Sequence, residues 1–340
     1  MDPLQRAPAN QAPPLVGYDA IGSDAALQEA VRAFAATDDA GGSGASGVLD
    51  SLVELGRVAG SAVAREHGRL ANEHVPRLRT TDGFGNGVDE VEFHPSWHWL
   101  LERGVGFGLQ AAPWTSDEPS AHLRRAAGYV AWTAVEPGHA CPMTMTYAAV
   151  PALKSDDALA KQWTSGLAPR VYDFGLRRPA DKAGLLAAMA MTEKQGGSDG
   201  RANVTTASPT SDHGEYRLHG HKWFTSAPMD DMFLMLAQAP DGLTCFVVPR
   251  VLPDGVRNPL SIVRLKDKVG NRSNASAELE LHDTVGTRLG DEGRGVRTII
   301  EMVAATRLDC LLGSAALMRR AVAEASWHAA HRSAFGTTLA

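Results

Sequence analysis

Apolar positions recur at three- and four-residue steps through the first half of the chain, and Leu27, Ala30, Val31 and Phe34 supply the first such run. With Ser23 as N-cap and Thr37-Asp38-Asp39 as breaker, that spacing predicts a helix of about three to four turns. Residues 48–180 alternate helical runs with loops rich in Gly, Pro and charge, and they show almost no period-2 alternation. They read as an all-helical region. After it the texture changes. The short apolar run 185–191, the segment Tyr216-Arg217-Leu218-His219 leading to Gly220, the runs 233–237 and 243–248, and the strict alternation at 277–282 all read as strands. Turns such as Asp212-His213-Gly214-Glu215, Pro240-Asp241-Gly242 and Pro253-Asp254-Gly255 join them into a compact antiparallel β domain. From Gly295 the helical period returns through Val296, Ile299, Ile300, Val303, Leu311 and Leu312. A second helix is expected from about 314 to 331, with Gly336 as the stop signal.

These elements give a multidomain α+β chain. The expected divisions are an extended, Pro-rich arm at 1–22, an α-helical domain at 23–184, a middle β-sandwich or barrel at 185–288, and the start of a C-terminal α-helical bundle at 289–340. A helix pair with nothing to cover its outer stripe suggests a truncated domain or a neighbouring subunit.

Composition narrows the classes. The 340 residues are 44% apolar and 21% charged, as in ordinary soluble globular proteins, and long enough for more than one core. The net charge of −6 offers no global attraction to nucleic acid or anionic lipid. Cys141, Cys245 and Cys310 are few and far apart, which points away from a disulfide framework and towards a reducing cytoplasm. No apolar run is long enough to span a bilayer, and the N-terminus lacks a signal peptide's apolar centre.

Candidate chemistry concentrates in Met191-Thr192-Glu193-Lys194-Gln195-Gly196-Gly197-Ser198-Asp199. A strand ends there and two glycines follow, so backbone N–H groups can approach an anion while the Thr192 and Ser198 hydroxyls donate. The same residues also fit a plain hairpin loop. Other motifs carry less. Gly42-Ser43-Gly44-Ala45-Ser46-Gly47 matches a dinucleotide fingerprint but lacks the preceding strand. His94 and His98, and His213, His219 and His221, lack the further ligands that a metal centre needs, so no metal is expected.

The order helical domain, β domain, helical hairpin, with Met191-Thr192-Glu193 and Gly197-Ser198-Asp199 at the first junction, resembles the acyl-CoA dehydrogenase family. Further stretches are similar to its alkylation-response, AidB-type flavoprotein branch: His94-Pro95-Ser96-Trp97-His98, Cys141-Pro142-Met143-Thr144-Met145-Thr146, Gly220-His221-Lys222-Trp223-Phe224-Thr225-Ser226, the run 265–276 and Thr306-Arg307-Leu308-Asp309-Cys310. The resemblance implies FAD. On it, the Met191 backbone and the Thr192 hydroxyl address the flavin ring's polar edge, and Ser198, in the turn with Gly197, addresses the pyrophosphate. Phe224 stands where the family has a tryptophan beside the ring, and Ser226 where a threonine donates to flavin N5. Arg332 and Phe335 match residues that reach the FAD of a neighbouring subunit, which implies a dimer or, as is usual in the family, a homotetramer. The implied reaction is α,β-dehydrogenation of an acyl-CoA, with an electron-transfer flavoprotein as acceptor. Its indispensable carboxylate base is not found: Thr306 occupies one family position, and the other lies beyond Ala340. Glu301 and Asp309 read as solvated helix residues, and the paired arginines 124–125, 177–178 and 319–320 as solvated helix faces. A DNA-associated role in protection from alkylation is the alternative function that the branch suggests, although DNA binding by this chain is not expected.

Overall fold

The computed structural model describes residues 10–35 and 44–340, so the Thr37-Asp38-Asp39 breaker and the first two residues of the 42–47 motif lie outside it. Helix α1 (Ala25–Phe34) turns Val31 inward. Its N-cap is Asp24, not Ser23: the Asp24 carboxylate accepts the Leu27 N–H at 3.0 Å. Ser23 spends its hydroxyl on the Asp19 carbonyl at 2.6 Å, which leaves the cap position to the next side-chain acceptor.

Helices α2 (Gly44–Asp50), α3 (Val53–Ala59) and α4 (Ala62–Glu73) follow, and then comes a hairpin that the all-helical reading missed, β1 (Arg77–Thr81) with β2 (Gly87–Glu92). β1 is mostly exposed and β2 half-buried through its middle, with Val91 alone fully inside, so they carry no apolar alternation to betray them. Charge and turn chemistry hold them together: Arg79 pairs with Glu92 at 3.0 Å, and Asp82 accepts the Phe84 and Asn86 N–H groups.

Helices α5 (Pro95–Gly106), α6 (Ala121–Thr133), α7 (Ala140–Leu153) and α8 (Asp157–Leu167) complete the helical region. Helix α7 is buried on nearly every side, as an apolar-all-round helix must be. One core gathers Leu55, Trp97, Leu100, Trp132 and Met143 among the helices. A second runs without a break from α7 and α8 into the strands.

Those strands are β3 (Ala187–Ala190), β4 (Thr206–Pro209), β5 (Glu215–Ser226), β6 (Met232–Ala239), β7 (Gly242–Pro249), β8 (Leu260–Leu265) and β9 (Ser276–Leu289). The ring β6-β4-β5-β9-β7 closes on itself through the β6–β7 pairing, which makes a barrel, while β3 extends from β6 and β8 pairs with β9. Most pairings are antiparallel. The β3–β6 and β4–β6 pairings are parallel, a mixture the run pattern did not reveal.

The expected terminal helix pair is one helix, α9 (Gly295–His331), of 37 residues. Gly313 does not break it, because a helical glycine costs only about 1 kcal/mol and α9 is held along its length by α6, α7 and β7. Thr298, Met302, Asp309 and Ala316 form its buried face, whereas Ile300, Leu311, Met318 and Val322 form an exposed apolar stripe opposite. The helix ends at His331 as expected, and Gly336, five residues on, turns a small hairpin between β10 (Ser333–Ala334) and β11 (Thr337–Thr338) at φ +85°. Among the described residues no helix is long and apolar enough to cross a membrane.

Candidate functional site

Strand β3 runs parallel to β6 and releases the chain at Met191, both Met191 and Thr192 being half-buried at the barrel's end. The chain then folds back tightly, with Gly196 donating its N–H to the Glu193 carbonyl at 3.0 Å. Gly196 sits at φ +122°, a conformation that suits glycine. A Cβ on Gly197 would lie 2.7 Å from the Thr192 hydroxyl oxygen, so the loop and the strand end are closely packed there. Ser198 and Asp199 are exposed beyond the glycines, and with Gly200, Arg201 and Val296 they border an open cleft of about 650 Å³ beside the start of α9.

What fixes this loop is an ion pair that sequence reasoning did not find. The Glu193 carboxylate meets the Lys222 ammonium at 2.7 Å, and both side chains are wholly buried. Glu193 also accepts the Val204 N–H at 2.7 Å, while Lys222 donates to the Leu236 carbonyl at 2.6 Å. Burial alone would raise the Glu193 carboxyl, but the Lys222 charge and these donors outweigh it and hold it at about 2. A buried pair satisfied on both sides ties the loop to β5 and β6. The motif Met191-Thr192-Glu193 contains one partner, but nothing local in the sequence marks Lys222 as the other.

The two stretches singled out by the family resemblance meet here. Trp223 donates its N–H to the Thr192 carbonyl at 2.8 Å, so the end of β3 and the end of β5 lie side by side. Phe224 presents its ring with 45% of its surface exposed. Ser226, half-buried, shares a hydrogen bond of 2.8 Å with Ser276 on β9. The Trp223 ring is covered by the Lys266 ammonium, 3.5 Å from its centroid.

Other expected residues go elsewhere. Thr306 donates to the Val303 carbonyl at 2.9 Å within α9. Glu301 is exposed, as expected, but Asp309 is buried and forms an ion pair with Arg125, so neither Asp309 nor Arg125 is solvated. The sequence did contain the signal: Asp309 stands seven residues after Met302 and seven before Ala316, on the inward face of one helix. Arg319 and Arg320 are also engaged within the chain, with the Asp24 carboxylate at 2.8 Å and the Ala134 carbonyl at 2.6 Å respectively.

Arg332 donates to the Asn10 carbonyl at 2.7 Å, and Phe335 is fully exposed. A helix of 37 residues is about 55 Å long, which keeps both far from Ser198 in the same chain. Of the histidines, His94 caps α5, His98 bonds the Tyr172 hydroxyl at 2.7 Å, His219 meets Asp283, and His221 accepts the Lys194 N–H. Among the described residues no three metal-binding side chains converge.

Comparison with known proteins gives a consistent picture. Residues 10–174 match the adaptive response protein AidB N-terminal domain, and residues 188–284 match the acyl-CoA dehydrogenase middle domain. The AidB protein of Escherichia coli (strain K12) is 46% identical over 97% of this chain and 60% of its own length. Acyl-CoA dehydrogenase family member 11 of Caenorhabditis elegans is 33% identical over 80% of this chain and 46% of its own length. A crystal structure of Caenorhabditis elegans ACDH-11 in complex with C11-CoA superposes with a TM-score of 0.86 at 28% identity, covering 98% of this chain and 57% of that one. The chain thus spans about half to three-fifths of the length of these relatives.

Proposed function

The chain belongs to the acyl-CoA dehydrogenase family, with an N-terminal domain of the AidB type, and on that premise we propose that it is an FAD-holding oxidoreductase unit. The observation that carries the reading is the Trp223 to Thr192 hydrogen bond. It sets a polar, glycine-turned loop against an exposed aromatic ring and a hydroxyl, which is the donor set that a planar ring with a polar edge requires. The residues fit the cofactor. Bound FAD would supply the acceptor for a hydride equivalent from the substrate.

In this proposal the Met191 backbone and the Thr192 hydroxyl hold the ring's polar edge, and Phe224 forms a wall beside it. Ser226 donates to the ring's N5 edge. Ser198 and the glycine-loop amides take the pyrophosphate at the cleft beside α9, where the positive end of the helix also favours an anion. Glu193 and Lys222 keep the loop in place for all of these. Arg332 and Phe335, too far away to serve their own chain, would serve another copy's FAD, so the complete site belongs to an oligomer.

The substrate class proposed is an acyl-CoA thioester, with an electron-transfer flavoprotein as acceptor. Residues of α9 supply no base in this scheme. Thr306 has no carboxylate, and the Asp309 carboxylate is already committed to Arg125, so proton abstraction would need a group from outside α9. The alternative of DNA protection gains nothing from the paired arginines, since Arg125, Arg319 and Arg320 are spent on intramolecular partners.

The visible spectrum of the purified chain tests the reading. Flavin absorbance near one per chain is expected, and a colourless protein that takes up no added FAD would end the proposal. Anaerobic isovaleryl-CoA should leave the bound flavin's absorbance largely unbleached. Rapid bleaching would show that a base is present after all.

A further inference from the structure

Lys268 is a cation with no carboxylate of its own. Its ammonium donates to the Asn274 carbonyl at 2.7 Å and to the Ser276 hydroxyl at 3.0 Å, and no carboxylate among the described residues lies within ion-pair distance. Burial lowers its affinity for a proton, and Cys141 and Glu136 only partly offset this. Neither neutralises it. The Cys141 thiol is pushed up to about 11 by burial and stays protonated at neutral pH. Glu136 directs its carboxylate at Asn72, Gly138 and His139. Together with Lys266, Arg272, Asn274 and Ser276, Lys268 lines a cavity of about 230 Å³ between the end of β8 and the start of β9. The Asn274 side-chain oxygen, itself buried, has no hydrogen-bond partner there.

The hydrogen bonds from Lys268 have a fixed direction. An ammonium can only donate, so the Ser276 oxygen accepts from Lys268 and its own proton is free to pass on. Its neighbour is the Ser226 hydroxyl at 2.8 Å, across a register pair of β5 and β9. Ser226 in turn accepts and is left to donate away from Ser276. The Cys141 sulfur beside it is a weak acceptor that competes poorly with a ring nitrogen. The result is a run of hydrogen bonds polarised by a charge at its tail, with Ser226 at its head.

We propose that Lys268, acting through Ser276 and Ser226, is the positioning cation that raises the reduction potential of the flavin. This rests on the flavin reading of Ser226. Reduction adds two electrons and one proton to the ring, and the net negative charge the ring gains is stabilised by a cation held behind the donor at its N5 edge. Lys268 does not touch the ring, so its effect is on the equilibrium between oxidised and reduced flavin and not on cofactor retention.

The test equilibrates the FAD-loaded chain anaerobically with a reference dye, dithionite supplying the electrons, and reads both spectra. Lys268→Met should shift the reduced-to-oxidised ratio about tenfold towards oxidised flavin at a given dye poise, which is about 30 mV for a two-electron couple. Lys268→Arg, which keeps the charge, should bring the ratio most of the way back to wild type. Ser276→Ala keeps the lysine and breaks the relay, so it should reproduce part of the loss even if Lys268→Met fails to fold. Ratios within twofold of wild type for Lys268→Met or, should that variant not fold, for Ser276→Ala, with flavin bound, would overturn the inference and leave the flavin reading intact. Loss of FAD from Lys268→Met but not from Lys268→Arg would also overturn it, by making the lysine a cofactor ligand. A wild-type chain that binds no FAD would remove both proposals together.

Discussion

Arg125 on α6 and Asp309 on α9, 184 residues apart in sequence, form a two-pronged ion pair in which both side chains are buried, with Arg125 Nη2 2.6 Å from Asp309 Oδ2. The guanidinium lies between the rings of Tyr129 and Tyr147, at 4.4 and 4.1 Å from their centroids. It also donates to the Leu109 carbonyl at 2.8 Å. This contact clamps the long terminal helix onto the helical region, and it removes from the chemistry the one buried carboxylate that α9 carries.

Breaking the pair from one side should be costly. Asp309→Asn leaves the Arg125 charge buried and uncompensated, and a loss of about 3–5 kcal/mol is expected in urea unfolding. Replacing both by apolar residues, Arg125→Met with Asp309→Leu, should recover most of it. If Asp309→Asn unfolds at the wild-type urea midpoint, the pair is not the clamp described.

The Glu193–Lys222 pair gives a pH dependence of definite sign. The Glu193 carboxyl is lowered from its usual 4.5 to about 2, so its contribution to stability is complete above about pH 4.5 and is lost as the pH falls towards 2. Removing both charges with Glu193→Gln and Lys222→Met should flatten the acid limb of the stability curve relative to wild type, as followed by circular dichroism. An acid limb unchanged in the double variant would count against the assignment.

Gly295 starts α9 where the helix meets the barrel, and a Cβ there would stand 2.5 Å from the Thr244 carbonyl carbon and 2.7 Å from the Cys245 nitrogen. Both are backbone atoms and cannot swing aside. Gly295→Ala should therefore cost about 1–3 kcal/mol by overpacking, read as a lower urea midpoint. Gly313→Ala, with nothing within 4 Å of its added Cβ, should be neutral or slightly stabilising.

The proposed cofactor cradle predicts a loss of flavin without a loss of fold. Thr192→Val with Ser198→Ala removes two hydroxyl donors, and Phe224→Ala removes a ring that is 45% exposed and so contributes little to the core. Each should lower the FAD content of the purified chain severalfold while the far-ultraviolet spectrum stays at the wild-type level. Unchanged flavin content in both variants would refute the cradle as drawn.

Much of the architecture was legible in the order of residues. Helical and two-residue periodicities located the helical region, the strands and the return to helix, because each pattern reflects which face of a local element must leave water. The stretch 191–199 stood out for the same local reason, glycines and hydroxyls gathered at the end of an apolar run, whereas Phe224-Thr225-Ser226 stood out only by its resemblance to the family. Three things needed the tertiary structure. The β1–β2 hairpin is held by exposed polar contacts and leaves no apolar period, α9 passes through Gly313 because its neighbours outweigh a weak local preference, and the barrel closes by the β6–β7 pairing. The buried charges Arg125, Glu193, Lys222 and Asp309 depended on it most of all. Each of these four charges is compensated by a partner distant in sequence, and whether that partner arrives is decided by how the chain closes on itself.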